Sequence, residues 1–186
     1  TPFDPATLSL SDGLKPPVLV SPDGDWAFPL GTDDQGRDVL SAIMYGSRVS
    51  LMVGFFAVIL AMVLGIALGL IAGYVGGRVD AFIMRVADVQ LSFPAILIAL
   101  LIDGVARAAL PKDSHDTLAL YVLVLAIAAS GWVQYARTVR GSTLVERNKE
   151  YVQAARVIGR HPVAIMFSHV LPNVLGPVLV LATLHI

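Results

Sequence analysis

The chain has 186 residues, 56% of them hydrophobic and only 15% charged, with a mean hydropathy of +0.75; this excludes an ordinary soluble domain and implies one membrane domain with several bilayer-crossing helices. A net charge of −1 provides no bulk attraction for nucleic acid, and the absence of cysteine removes disulfides, thiolate nucleophiles and cysteine-ligated metals. No basic stretch followed by an apolar run succeeds Thr1, so no signal peptide is expected, and the apolar run from Val174 to Ile186 stops short of the roughly 20 residues a crossing helix needs. The sequence therefore reads as truncated at both ends.

Residues 1–48 form a polar lead with Pro5, Pro16, Pro17, Pro22 and Pro29 and seven Asp against three Lys or Arg. At its end Val39, Leu40, Ile43 and Met44 share a helical face, which predicts a short helix lying at headgroup level. "DDQGRD" at 33–38 lacks the alternating ligands and terminal Glu of a calcium loop and reads as an Asp/Gly turn.

Residues 49–186 form the transmembrane domain. No charge occurs from Val49 to Gly77, enough for a tilted span at about 50–75. Within it Ala57, Ala61, Gly65, Gly69 and Gly73 recur every four residues, a stripe along which a second helix can pack closely. A second span is expected at about 86–106, kinked at Pro94, with Asp88 and Asp103 near its ends as interfacial or packing residues. Gln90, Ser92, Ser130 and Gln134 either line a water-filled path or cement helix packing. The third span, 117–136, is uncharged, and Trp132 and Tyr135 place its end at an interface. Another begins at 173.

Residues 137–160 hold six of the thirteen Lys and Arg, so the loop 137–172 is expected to be cytoplasmic; walking back through the spans places 107–116 outside, 78–85 inside and 1–48 outside. In that loop Asn148 is the expected cap of a helix of about ten residues that ends at Gly159, with Val152, Ala155 and Ile158 on one face. So short a helix needs a surface to pack on. Pro162 suits the first turn of a second helix whose apolar face is Val163, Met166, Phe167 and Val170. Periodicity alone leaves two readings open: a basic amphipathic loop on anionic headgroups, or a docking helix for a cytoplasmic partner.

"QAARVIGRHPVAIMFSHVLP" resembles the EAA signature of permease subunits from binding-protein-dependent ABC importers, with Ala154, Ala155, Gly159, Leu171 and Pro172 at the matching places. "LGTDDQGRDVLSAIMYGSRVSL", "DVQLSFPAILIALL" and "YARTVRG" are similar to further segments of the peptide and nickel branch, so the resemblance covers most of the chain from Leu30 onward. Gln153 departs from the signature Glu and His169 from its Ile; Glu150, one turn before Gln153, is the alternative anion for a contact with an ATPase.

The resemblance implies an all-α, type I ABC-importer-like helical bundle whose loop is the coupling-helix region. It also implies a second homologous permease, two cytoplasmic ATPases that bind the ATP and magnesium, an external solute-binding protein, and an inner-membrane location. No phosphate-binding G-x-x-x-x-G-K-[ST] loop occurs, so no enzymatic activity or cofactor is expected of this chain itself. His115, His161, His169 and His185 have no ligand spacing and read as loop or cap residues, and no G-x-S-x-G elbow occurs. The cargo implied is a di- or oligopeptide, with nickel or another small solute as the alternative. A self-contained secondary transporter or channel is the competing class, although neither inverted repeats nor a buried ionisable cluster is seen.

Overall fold

Apolar runs with helical spacing, broken among the described residues at Gly76, Ser92–Pro94, Arg147–Lys149 and Ile158–His161, make this chain helical. The computed structural model describes residues 3–4, 7–18, 24–109 and 115–185, so Pro5, Pro22 and the 110–114 part of the connector expected outside the membrane lie beyond the described residues. The chain divides into two compact units, Thr1–Met52 and Val53–Ile186.

In the first unit a 3-10 turn, Leu10–Asp12, precedes loops held by side chains. Asp33 Oδ1 accepts from the backbone N–H groups of Gln35 and Arg37, both at 2.9 Å, and Oδ2 accepts from Arg37 Nε at 2.7 Å. The Arg37 N–H, followed by its guanidinium, holds this carboxyl below its usual 3.8. Gly36, at φ +75°, lies so close to the backbone of Ser9 that a Cβ would sit 1.7 Å from the Ser9 oxygen. Asp38 then caps the first helix, accepting from Ser41 N–H at 2.9 Å.

Helix α1 is Val39–Val75. The expected headgroup-level helix is not separate, because no Pro or other stop signal intervenes, and 37 residues run unbroken for roughly 55 Å at 1.5 Å per residue. Helices α2, Gly77–Leu91, and α3, Ala95–Ala109, replace the expected single kinked span at 86–106. They meet at 92°. Pro94 lacks the N–H that would continue the ladder and disfavours helical geometry at Phe93, which turns an expected kink into a break.

Helix α4, His115–Glu146, continues well past Ala136. After it come α5, Glu150–Val157; α6, Pro162–Ile165; a π-helical turn, Met166–Val170; and α7, Leu171–His185. The last three are continuous. Pro172 has no N–H for the Ser168 carbonyl four residues back, and the widened turn just before it accommodates that loss.

Among the described residues, Val39–Val75, Leu118–Glu146 and Pro162–His185 are long and apolar enough to cross a membrane, and the α2–α3 pair makes a fourth crossing if it is one broken span. A Cβ on Gly65 would meet Tyr135, one on Gly69 would meet Ala136 and Val139, and one on Gly73 would meet Thr143, so α1 and α4 run parallel. Chain leaving the end of α1 must therefore travel back along the bundle before α4 begins, and α2–α3 lies on that return path. Tyr135 OH lies 2.9 Å from His185 Nδ1, while the start of α7 lies near the end of α4, so α7 runs antiparallel to α4.

The core of this unit joins Ala61 and Leu70 of α1, Ala128, Tyr135 and Val139 of α4, Val152 and Ala155 of α5, and Ile165, Val170, Val174 and Val178 along the final helix.

Candidate functional site

Three turns of α4 carry the chain away from its apolar stretch. From Ala136 to Glu146 the helix advances roughly 15 Å, and Arg137 and Arg140 lie along this extension. Arg140 makes a bidentate pair with Asp80 of α2, and Arg137 pairs with Asp88 at 2.5 Å. The forked Arg140–Asp80 pair fixes direction as well as distance. Trp132, expected at an interface, is 8% exposed, and its indole donates to Gln90 Oε1 at 2.8 Å. Tyr135, expected beside it, is 1% exposed in the packed core. Gln90 also donates to the Ala129 carbonyl, so it cements α2 to α4. Ser92 and Ser130 bond back to their own helices, while Gln134 is exposed. Asp103 pairs with Arg107 at 2.8 Å.

The small-residue stripe faces α4. Ala57 and Ala61 are 1% and 4% exposed, and Cβ atoms on Gly65, Gly69 and Gly73 would lie 2.3, 2.4 and 2.7 Å from α4 atoms. Real side chains keep about 3.5 Å or more, so these glycines are what permits the contact.

At the end of α4 the chain turns through Arg147–Lys149 into α5. Arg147 Nη1 donates to the Gly73 carbonyl at 2.7 Å and to that of Tyr74 at 3.3 Å, satisfying the open end of α1. Arg156 lies over the Tyr74 ring at 5.1 Å. Helix α5 has eight residues and begins one residue later than expected: Lys149 is the capping position, and Asn148 bonds back to the Leu144 carbonyl. The surface it needs is the chain's own. Val152 is fully buried and Ala155 is 6% exposed, but Ile158, expected on the same face, is 83% exposed and neighbouring Val157 88%.

The departure of Ile158 has a local cause. Arg160 N–H bonds to the Ala155 carbonyl and Gly159 N–H to that of Arg156, the paired bonds of a helix stop with Gly159 in left-handed geometry at φ +81°. Ile158 therefore belongs to the stop and projects outward. His161 caps α6 by accepting from Val163 N–H at 3.4 Å. The face of the second helix also differs from expectation: Met166 and Val170 are buried with Ile165, while Val163 and Phe167 are 51% and 60% exposed, because the π turn shifts the register.

Glu150 is exposed, with no hydrogen bond or ion pair among the described residues, whereas Gln153 turns back and donates to the Arg147 carbonyl at 3.3 Å. Ala154 is exposed, Leu171 is half-buried against the core and Pro172 is exposed. A groove of ≈ 590 Å³ opens beside Tyr151, Ala154, Ala155, Gly159 and Arg160. One feature here has no sequence signature. Tyr151 donates to Glu146, its hydroxyl accepts from Asn173 Nδ2 at 3.1 Å, and its ring stacks on His169. Partial burial and the Glu146 carboxylate push its phenol up to about 12.

A polytopic helical membrane protein with a folded elbow standing beyond its spans is the class these features define. Residues 65–186 match the family described as binding-protein-dependent transport system inner membrane component, and the chain belongs to that family. It is 45% identical over 183 residues to the dipeptide transport system permease protein DppC of Escherichia coli (strain K12), covering 98% of this chain and 57% of that protein. It is 35% identical over 184 residues to the oligopeptide transport system permease protein OppC of Bacillus subtilis (strain 168), covering 99% of this chain and 55% of that protein. It is 40% identical over 156 residues to the glutathione transport system permease protein GsiD of Salmonella paratyphi A (strain ATCC 9150 / SARB42), covering 84% of this chain and 48% of that protein. The chain spans about half the length of the curated relatives it matches.

Proposed function

We propose that the chain is the membrane-crossing part of a permease subunit in an ATP-driven importer of short peptides. It forms half of the translocation path with a second, homologous permease. Two cytoplasmic ATPases bind and hydrolyse the ATP and magnesium, an external binding protein delivers the cargo, and this chain is not itself catalytic. The relatives named for dipeptide, oligopeptide and glutathione transport support a peptide cargo over nickel, since all three names denote peptides.

The observation that carries the coupling role is the elbow. Helix α5 buries Val152 and Ala155 against its own chain while presenting Val157 and Ile158 outward. Two adjacent aliphatic side chains more than four-fifths exposed, beside a groove and beyond the spans, suit a protein partner. The basic residues that would favour a headgroup-bound loop are engaged within the chain: Arg147 with the end of α1, Lys149 with Glu146, Arg156 with Tyr74 and Arg160 with His169.

Of the two candidate contact positions, exposed Glu150 is the one that offers the ATPase a charge, because the neutral Gln153 amide, although also exposed, bonds back to the Arg147 carbonyl. The basic bias of 137–160 assigns the elbow to the cytoplasm, and parity through α4, α2–α3 and α1 assigns residues 1–48 to the outside. A push on α5 from a closing ATPase pair would then tilt α4 and α7 as rigid rods.

Replacement of 150–160 by a scrambled sequence in the full-length subunit tests the proposal. The ATPase is expected to be lost from the purified complex with the spans still inserted; transport by the purified subunit alone, without ATP, would support a secondary transporter instead.

A further inference from the structure

The elbow has two weak joints. Helix α5 is tied to α4 by Arg147–Lys149 and to α6 by Ile158–His161, and within the latter Gly159 has nothing within 4 Å of where a Cβ would stand. Apolar packing at Val152 and Ala155 is non-directional and permits sliding, so it does not by itself convert a push on α5 into a tilt. Other polar contacts tie the elbow locally, Gln153 to the Arg147 carbonyl and Arg160 to His169, but one α5 atom bonds to both flanking helices. The Tyr151 hydroxyl donates to Glu146, the last residue of α4, and accepts from Asn173 Nδ2 in the first turn of α7 at 3.1 Å.

Each partner is itself held. Glu146 is 6% exposed, with its second oxygen 2.8 Å from Lys149 Nζ. Asn173 Nδ2 also bonds the His169 carbonyl at 2.7 Å, and the His169 ring stacks on Tyr151 with centroids 6.4 Å apart. Three helices therefore meet at one phenol, next to the widened turn Met166–Val170.

We propose that Tyr151 is a positioning latch whose hydroxyl locks α5 to the end of α4 and the start of α7, so that a displacement of α5 moves both spans together. This rests on the coupling role proposed above. The hydroxyl supplies the register between elbow and spans, and the ring supplies only area.

The test uses the full-length subunit with its partners in proteoliposomes, comparing peptide imported per ATP hydrolysed. Tyr151→Phe keeps the ring and deletes one oxygen. It is expected to lower that ratio about tenfold, the effect of losing a hydrogen bond to a charged group. Glu146→Ala is expected to match it, whereas Glu146→Gln, which still offers an acceptor oxygen, keeps the ratio within about threefold of the parent.

The second measurement needs no transport. Spin labels at Ile158→Cys and Val180→Cys, both exposed positions in a stretch of 186 residues without cysteine, report the α5–α7 distance distribution. It is expected to be narrow with Tyr151 and broad with Phe. A parental import ratio together with an unbroadened distribution in Tyr151→Phe would overturn the latch. If the parent imports without ATP, the coupling reading fails and the distance distribution alone decides the latch.

Discussion

Substituting Gly69 by Ala probes the contact that orients the whole bundle. The new methyl would stand 2.4 Å from the Ala136 carbonyl oxygen, 2.9 Å from Val139 Cβ and 3.0 Å from Ala136 Cα. Two of these are backbone atoms, so no side chain can rotate away, and α1 must move off α4 by about 1 Å to restore an ordinary contact of about 3.5 Å. Overpacking of this kind costs about 1 to 3 kcal/mol, against a gain of about 0.5 to 1 kcal/mol from replacing a helical glycine by alanine. The net loss is about 0 to 2.5 kcal/mol, with the middle of the two ranges giving about 1.3 kcal/mol. Gly54, on the same helix, has nothing within 4 Å of its would-be Cβ, so the same substitution there carries only the gain. Reversible unfolding of the full-length subunit in mixed micelles, titrated with a denaturing detergent, compares the two variants directly. Gly69→Ala is expected to unfold earlier than the parent and Gly54→Ala no earlier. Equal midpoints for the two would refute the parallel α1–α4 contact, and with it the return path assigned to α2–α3.

Gly159→Pro, or a bulky residue at Ala155, is expected to leave the spans inserted while ATP hydrolysis by the complex ceases to drive import, measured as peptide taken up per ATP. Undiminished uptake in both would count against α5 as the coupling element. Asp80→Asn removes the charge that the Arg140 fork grips and is expected to destabilise the subunit by about 1.5 to 3 kcal/mol, read from the same detergent titration; an unshifted midpoint would show the pair to be idle. In the lead, the depressed carboxyl of Asp33 means that its turn contributes stability in full above the ordinary value of 3.8 and loses it as pH falls through the lower folded value. Amide exchange at Gln35 and Arg37 should therefore accelerate in acid below about pH 4, and Asp33→Asn should remove most of that pH dependence.

The sequence disclosed elements whose cause is local. The four-residue recurrence from Ala57 to Gly73 pointed to a helix contact, and the GRHP run at 159–162 marked a stop followed by a start. What stayed hidden depended on partners distant in the chain. Trp132 and Tyr135 read as interface aromatics because nothing nearby reveals that Gln90 and His185 wait for them. Pro94 announced a bend but not its size. Ile158 and Val163 followed simple helical spacing, and the Gly159 stop and the π turn then rotated them outward. Tyr151 sat unnoticed beside the signature because its partners, Glu146 and Asn173, lie 5 residues before and 22 after it.

The most direct measurement is a photo-cross-linker placed at Ile158 in the full-length subunit and activated in membranes that contain the assembled transporter. A covalent adduct to the ATP-hydrolysing subunit is the predicted product. Adducts confined to lipid or to the permease itself would contradict the account.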